Sequence, residues 1–144
     1  MKNSDLQLLK YKVSRIEFNI TDSWNLKKDR TLHQSIEVKT NFSDTDKHIV
    51  EVSLKISIKT TSGSITFEME IKGEFQRSEN ISDDLFHVLA NQNAPAILFP
   101  FARSIITSYT ALANIPPIIL PTVNFAIEKK EIPKLKKIKK GKAK

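Results

Sequence analysis

Three histidines, His33, His48 and His87, are the residues of this chain best suited to metal or acid–base chemistry. Their spacing makes no pair that one helix or strand could aim at a shared ion. The chain has no cysteine, which removes disulfides, a thiolate nucleophile and a cysteine-based zinc site. Glycine occurs only at positions 63, 73 and 141, so there is no glycine-rich loop to cradle a phosphate. Glu68 and Glu70 share one face of a strand and could mimic a carboxylate pair, but a solvated polar face looks the same. These residues predict no catalytic centre, no metal site and no cofactor, and they argue against an enzyme.

The net charge of +7 is concentrated at one end. Residues 128–144 hold nine Lys against Glu128 and Glu131, and residues 1–127 balance at 14 basic and 14 acidic groups. Two segments are therefore expected: a neutral domain over 1–127 and a Lys-rich, disordered tail over 128–144. Such a tail could attract nucleic acid, anionic lipid or an acidic protein face, or simply aid solubility. The polar start, Met1-Lys2-Asn3-Ser4-Asp5, leads into no apolar signal-type run, which points to a cytoplasmic protein.

The elements that would position any site are legible as alternation. Leu9, Tyr11 and Val13 alternate with polar residues, as do Ile16, Phe18 and Ile20, but the parity switches between the two sets. A bulge near Ser14 and Arg15 would reconcile them. Residues 21–31 read as a loop with Trp24 its one large apolar side chain; Ile36, Val38, Thr40 and Phe42 then alternate up to a Ser43-Asp44-Thr45-Asp46 turn. Val50, Val52, Leu54, Ile56 and Ile58 form the apolar face of a third strand, and Ile65, Phe67, Met69, Ile71 and Phe75 that of a fourth. Gly73 interrupts the fourth row and marks a bulge or a close approach of backbone. Ser82 can cap a short helix with Asp83 and Asp84 in its first turn, and Asn91 to Asn93 would separate it from a longer one. The fold class is thus α+β: a four-stranded antiparallel meander followed by a short and a long helix. Its apolar rows exceed what two helices of one chain easily cover, so a homo-oligomer is expected.

The stretch from Asn93 to Phe125, NAPAILFPFARSIITSYTALANIPPIILPTVNF, is the least ordinary. Ala94 to Ala113 is apolar on nearly every helical face, with Asn93 as its expected cap and Pro95 in its first turn. Pro100 withholds a bond from the carbonyl of Ala96 and predicts a kink. Asn114 ends the helix, and Ile115-Pro116-Pro117 forces an extended segment carrying Ile118, Ile119, Leu120, Val123 and Phe125. The run approaches the length of a membrane span, but Pro100, Arg103 and four hydroxyl residues suit lipid poorly, and a buried core helix is the simpler reading.

Ala96-Ile97-Leu98-Phe99-Pro100-Phe101-Ala102-Arg103, followed by Pro121-Thr122-Val123-Asn124-Phe125, resembles the signature of the SecB-type export chaperones. Tyr11 to Ile16 and Gly73-Glu74-Phe75 match that family more loosely. The resemblance implies an ATP-independent holdase that wraps unfolded polypeptide clients around apolar grooves and assembles as a homotetramer, a dimer of dimers. It implies groove residues Ile97, Phe101, Ile118, Ile119, Leu120, Val123 and Phe125, and a contact between copies at Ile65, Phe67, Met69, Ile71, Arg103 and Tyr109. Export-type members dock the SecA motor through acidic residues; Ile20 and Trp24 stand at two of those positions, and only Glu68 stays acidic. That departure, with the Lys-rich end, leaves open a chaperone dedicated to one partner such as the antitoxin of a toxin–antitoxin pair. A nucleic-acid-binding adaptor working through the tail is the alternative from another class, although the body offers no basic stripe with interleaved aromatics.

Overall fold

The structure, a computed structural model, describes residues 5–125. The expected domain limit at 127 and the tail over 128–144 lie outside the described residues. Four strands, β1 (Leu6–Ile20), β2 (Leu32–Phe42), β3 (Ile49–Thr60) and β4 (Ile65–Arg77), precede one helix, α1 (Asp83–Leu112). The strands form one antiparallel sheet in the order β1-β4-β3-β2. Only β2, β3 and β4 make the expected meander; β1 crosses over to pair with β4 at the far edge. Alternation fixes which face a strand buries but not which neighbour it takes.

β1 carries two register shifts against β4, between Val13 and Arg15 as its parity predicts, and also between Leu8 and Lys10. Together they bring Leu8, Tyr11, Val13, Ile16, Phe18 and Ile20 opposite Phe75, Gly73, Ile71, Met69, Phe67 and Ile65, all on the apolar side. Leu9 is thereby squeezed out of the row in which the sequence placed it and stands 43% exposed. Gly73 is in register with Tyr11 and Val52, so it marks no bulge. A Cβ there would come within 2.7 Å of Leu98 Cδ2, so its small size is what lets α1 approach the sheet.

α1 is one helix of 30 residues, not a short and a long one. Ser82 caps it as expected, its Oγ accepting from Leu85 N at 3.1 Å. Asn91 to Asn93 fails to break it because burial of Phe86, Ala90 and Ala94 on one side and Leu98, Phe99, Ala102 and Ile106 on the other outweighs the modest helix preference of asparagine. Asn91 also keeps its amide inside the helix, donating to His87 O at 2.8 Å. Pro95 is consequently a mid-helix residue, so that both prolines sit inside α1 and Asn93 is no cap. The helix ends on a Schellman motif: Asn114 takes φ 63°, its N–H donates to Ala111 O, and Ile115 N donates to Thr110 O. The Arg77 guanidinium fastens the other end, at 2.6 Å from Asp83 Oδ1 and stacked 5.0 Å from the Phe86 ring.

Candidate functional site

After the Schellman turn the chain runs back along α1, and two threonines of the helix hold it there. Thr107 Oγ1 donates to Ile118 O at 2.7 Å, and Ile118 N donates to Thr110 Oγ1 at 2.9 Å. Thr110, fully buried, turns its own hydroxyl proton toward the carbonyls of Ile106 and Thr107. Both backbone groups of one residue are thus clamped by side chains spaced i, i+3 on the same helix face. The returning segment contains Pro116, Pro117 and Pro121, which supply no N–H for regular pairing, so these hydroxyls replace the ladder it cannot form. Further along, Phe125 meets Phe99 edge-on at 5.8 Å between ring centroids.

The clamp decides which residues of the segment face inward. Ile118 and Leu120 are buried beneath it, as are Val123 and Phe125, whereas Ile119 between them is 64% exposed. Of the seven expected groove residues, those four belong to the core of the chain itself. Ile97 is half-buried against that core, and Phe101 stands 38% exposed with its ring 4.5 Å from Tyr11 of β1. Phe101 therefore leans toward β1 while Ile119 stands on the opposite flank of the helix. Ile119 and Phe101 thus lie on two separate apolar surfaces of the chain.

The first surface is the seam between α1 and residues 119–125. It holds two open clefts of about 380 and 310 Å³, one lined by Pro100, Arg103, Ser104, Thr107, Ser108 and Ile119, the other by Gln92, Ala96, Val123 and Phe125 among others. From Gln92 to Ser108 the helix rises roughly 24 Å at about 1.5 Å per residue, enough to lie beside about seven residues of extended chain. The second surface is an aromatic strip along β1: Tyr11, Phe101 and Tyr109, with Tyr109 also edge-on to Phe67 at 6.0 Å. Leu112, 87% exposed, closes its end. The outer backbone edge of β1 has no strand beside it among the described residues.

Among the residues expected between copies, Ile65, Phe67, Met69 and Ile71 are at most 1% exposed in the single chain. In the single chain they form part of the core under α1, which one 30-residue helix and its returning segment cover together. Tyr109 remains exposed and Arg103 half-exposed.

Glu68 lies on the outer sheet face, its carboxylate 3.2 Å from Arg15 Nη1, and Arg15 Nη2 is 2.7 Å from Glu17. The hydrogen bond and charge of Glu17, with Glu68 behind them, raise the Arg15 pKa above its ordinary value. Glu68 is thus already engaged by a cation of its own chain. Ile20 is exposed and Trp24 half-buried in the loop after β1. The residues that sequence reasoning missed are Thr107 and Thr110. Their signal was available: two hydroxyls three apart on a buried face, opposite a proline-rich segment short of donors.

Among the described residues, no three His, Asp or Glu side chains gather into a metal site, and no helix is long and apolar enough to cross a membrane.

Residues 3–128 match the family described as preprotein translocase subunit SecB. An uncharacterized protein of Methanocaldococcus jannaschii is 31% identical over 125 residues, covering 84% of this chain and 80% of that one. The protein-export protein SecB of Rhodopseudomonas palustris strain TIE-1 is 34% identical over 94 residues, 63% of this chain but only 59% of its own length. Among solved structures, the SecB-like chaperone Rv1957 of Mycobacterium tuberculosis, in complex with a ChAD peptide from the Rv1956 HigA1 antitoxin, aligns at a TM-score of 0.67. That alignment covers 83% of this chain and 88% of that one at 13% identity, a likeness of fold.

Proposed function

The chain belongs to the SecB family, and on that premise we propose that it is an ATP-independent holdase, which binds unfolded, export-competent polypeptides and keeps them from folding or aggregating before translocation. The observation that carries this reading is Ile119, a large apolar side chain held out to solvent between two buried neighbours, Ile118 and Leu120, by the threonine clamp. A side chain fixed in this way loses little conformational freedom when a client covers it, and the cleft that Ile119 lines, with the second cleft beside Val123 and Phe125, extends the contact along the seam. Several such seams in one assembly would add avidity for a long unfolded chain. A cytoplasmic homotetramer, a dimer of dimers, fits this reading. The open edge of β1 and the strip of Phe101, Tyr109 and Leu112 are the surfaces a second copy would cover.

The test is suppression of aggregation of a chemically unfolded client protein, without ATP, by the full chain at its own oligomeric mass. Replacing Ile119 by Ser should weaken suppression with the mass and the unfolding temperature unchanged. Full suppression by Ile119→Ser would remove the seam from the reading.

A second reading is a chaperone dedicated to one partner such as an antitoxin. Two observations favour it: the shared fold with a chaperone solved on an antitoxin peptide, and the engagement of Glu68 by Arg15, which a motor docking there would have to displace. A folded oligomer that protects no general client would select this reading.

A further inference from the structure

The sheet face turned away from α1 carries charges whose order the register fixes. Lys12 lies opposite Lys72, Lys72 opposite Ser53, and Ser53 opposite Lys39, so one row of side chains crosses all four strands. Lys12 and Lys39 are exposed, Lys72 is half-buried, and Ser53, 9% exposed, forms the floor between Lys72 and Lys39. Like charges directly opposite each other weaken a sheet. Among the described residues this face holds two other such pairs, Glu17 with Glu68 and Glu51 with Glu74, and a cation of β1 relieves each. Arg15 reaches Glu17 at 2.7 Å and Glu68 at 3.2 Å, and Lys10 lies 3.8 Å from Glu74. Beside Lys72 along β4, Glu70 accepts from Ser14 Oγ at 2.9 Å. Among the described residues no carboxylate stands at ion-pair distance from Lys12, Lys72 or Lys39; Glu128 and Glu131 lie outside those residues.

We infer that this row docks an acidic segment of a partner protein, laid across the strands in extended form with Asp or Glu at alternate positions. Strands about 4.8 Å apart put the backbones of Lys12 and Lys39 roughly 14 Å from each other, and alternate residues of an extended chain stand about 6.8 Å apart. Three acids in such a segment therefore span nearly the length of the row. The outer two meet Lys12 and Lys39, and the middle one meets Lys72 above the Ser53 hydroxyl, which can donate to it. The rows on either side are mixed: Glu74 and Glu51 with Lys10 on one, Glu70 and Glu37 with Arg15 and Lys55 on the other. Their glutamates repel an acidic segment that slips along the strands, and so fix its place. A nucleic acid or an anionic bilayer would have to cover those glutamates as well, which disfavours both. The row lies across the sheet from α1 and its seam, so this partner and a client can be held together, and the inference does not rest on the holdase reading.

The probe is a fluorescein-labelled peptide in which three Glu alternate with Ser; its twin carries Gln in their place. Fluorescence anisotropy measures both against the full chain at low and at raised ionic strength. Changing Lys12, Lys72 and Lys39 together to Gln should weaken binding of the Glu peptide about three- to thirtyfold, a difference that shrinks with salt, and leave the Gln peptide unaffected. Changing Lys27, Lys28 and Lys59 to Gln removes the same charge outside the row and should cost less than about twofold. Equal losses in the two triple variants, or wild-type binding by the first, would assign the binding to overall charge or to the Lys-rich residues 128–144 and overturn the inference. The loss caused by the first triple variant should be the same with Glu128→Gln and Glu131→Gln added to both proteins. A clearly larger loss there would mean that those acids already cover the row, which overturns the inference as well. Lys12→Glu gives a second readout of opposite sign: the unfolding temperature should rise by about 1–3 °C as a like pair becomes an opposite one, while affinity for the Glu peptide falls. A rise in stability with affinity intact would make the row a flaw of the sheet and not a docking site.

Discussion

Replacing Thr110 by Val tests the threonine clamp at its most buried atom. The two side chains are nearly the same shape, so the substitution removes a hydroxyl and little volume. The carbonyls of Ile106 and Thr107 lose a second donor, a small change. Ile118 N loses the one acceptor it has among the described residues, at a site where Thr110 is fully buried. An orphaned buried amide costs about 1–3 kcal/mol. At about 2.1 cal/mol/K of unfolding entropy per residue, a chain of this length should then unfold about 3–10 °C lower. Client affinity should fall as well, because Ile119 no longer has a fixed neighbour. Thermal unfolding followed by circular dichroism, with peptide anisotropy beside it, measures both, and Thr110→Ser is the control that keeps the hydroxyl. If Thr110→Val unfolds within about 1 °C of wild type, or if Thr110→Ser is equally damaging, the hydroxyl does not hold the segment and the reasoning is wrong.

Gly73→Ala should destabilise by about 1–3 kcal/mol, since its Cβ would crowd Leu98, Phe75 and Leu8. Leu98→Ala alone should cost about 2–5 kcal/mol by leaving a cavity. In urea denaturation the double variant should lose clearly less than the two together, because the added methyl occupies part of the space vacated. The acid limb of stability should depend on Asp29 and Asp83. The N–H of Asn25 first, then the Ser62 hydroxyl, lower the Asp29 pKa, and the Arg77 guanidinium lowers that of Asp83. A depressed folded-state pKa means stability that is present above the unfolded value, about 3.9, and is lost as pH falls through the folded one. The unfolding temperature should therefore drop on acidification below about pH 4, and that drop should be shallower in Asp29→Asn and Asp83→Asn; equal slopes in all three proteins would contradict the assignment.

The sheet was legible because polar and apolar residues alternate cleanly in β3 and β4, down to the bulge that parity demanded before Arg15 in β1. The second bulge was hidden by Leu9, an apolar residue that continued the expected row while standing outside it. The neighbour of β1 was not readable, since pairing partners leave no periodic trace. The helix was read in two pieces because three polar residues, Asn91, Gln92 and Asn93, look like a break. One turn of exposed positions on a helix whose opposite face is buried looks identical in sequence. At the candidate site the sequence named a run of apolar residues but not the split between Ile119 and its buried neighbours. That split depends on two hydroxyl contacts across eight and eleven residues, and the threonine pair, though visible in the sequence, does not say which residue of the segment it holds.

The position of β1 at the far edge also sets an order of assembly. β2 to β4 can close as successive hairpins, but Leu6 must find Arg77 and Ile20 must find Ile65. As the chain emerges from the ribosome, β1 comes out first and has no partner until β4 has followed it. Closing that long loop is the slow step that non-local pairing imposes. For that interval Val13, Ile16 and Phe18 lie on an unpaired strand, so the newborn chain passes through the same exposed state that it is proposed to relieve in others.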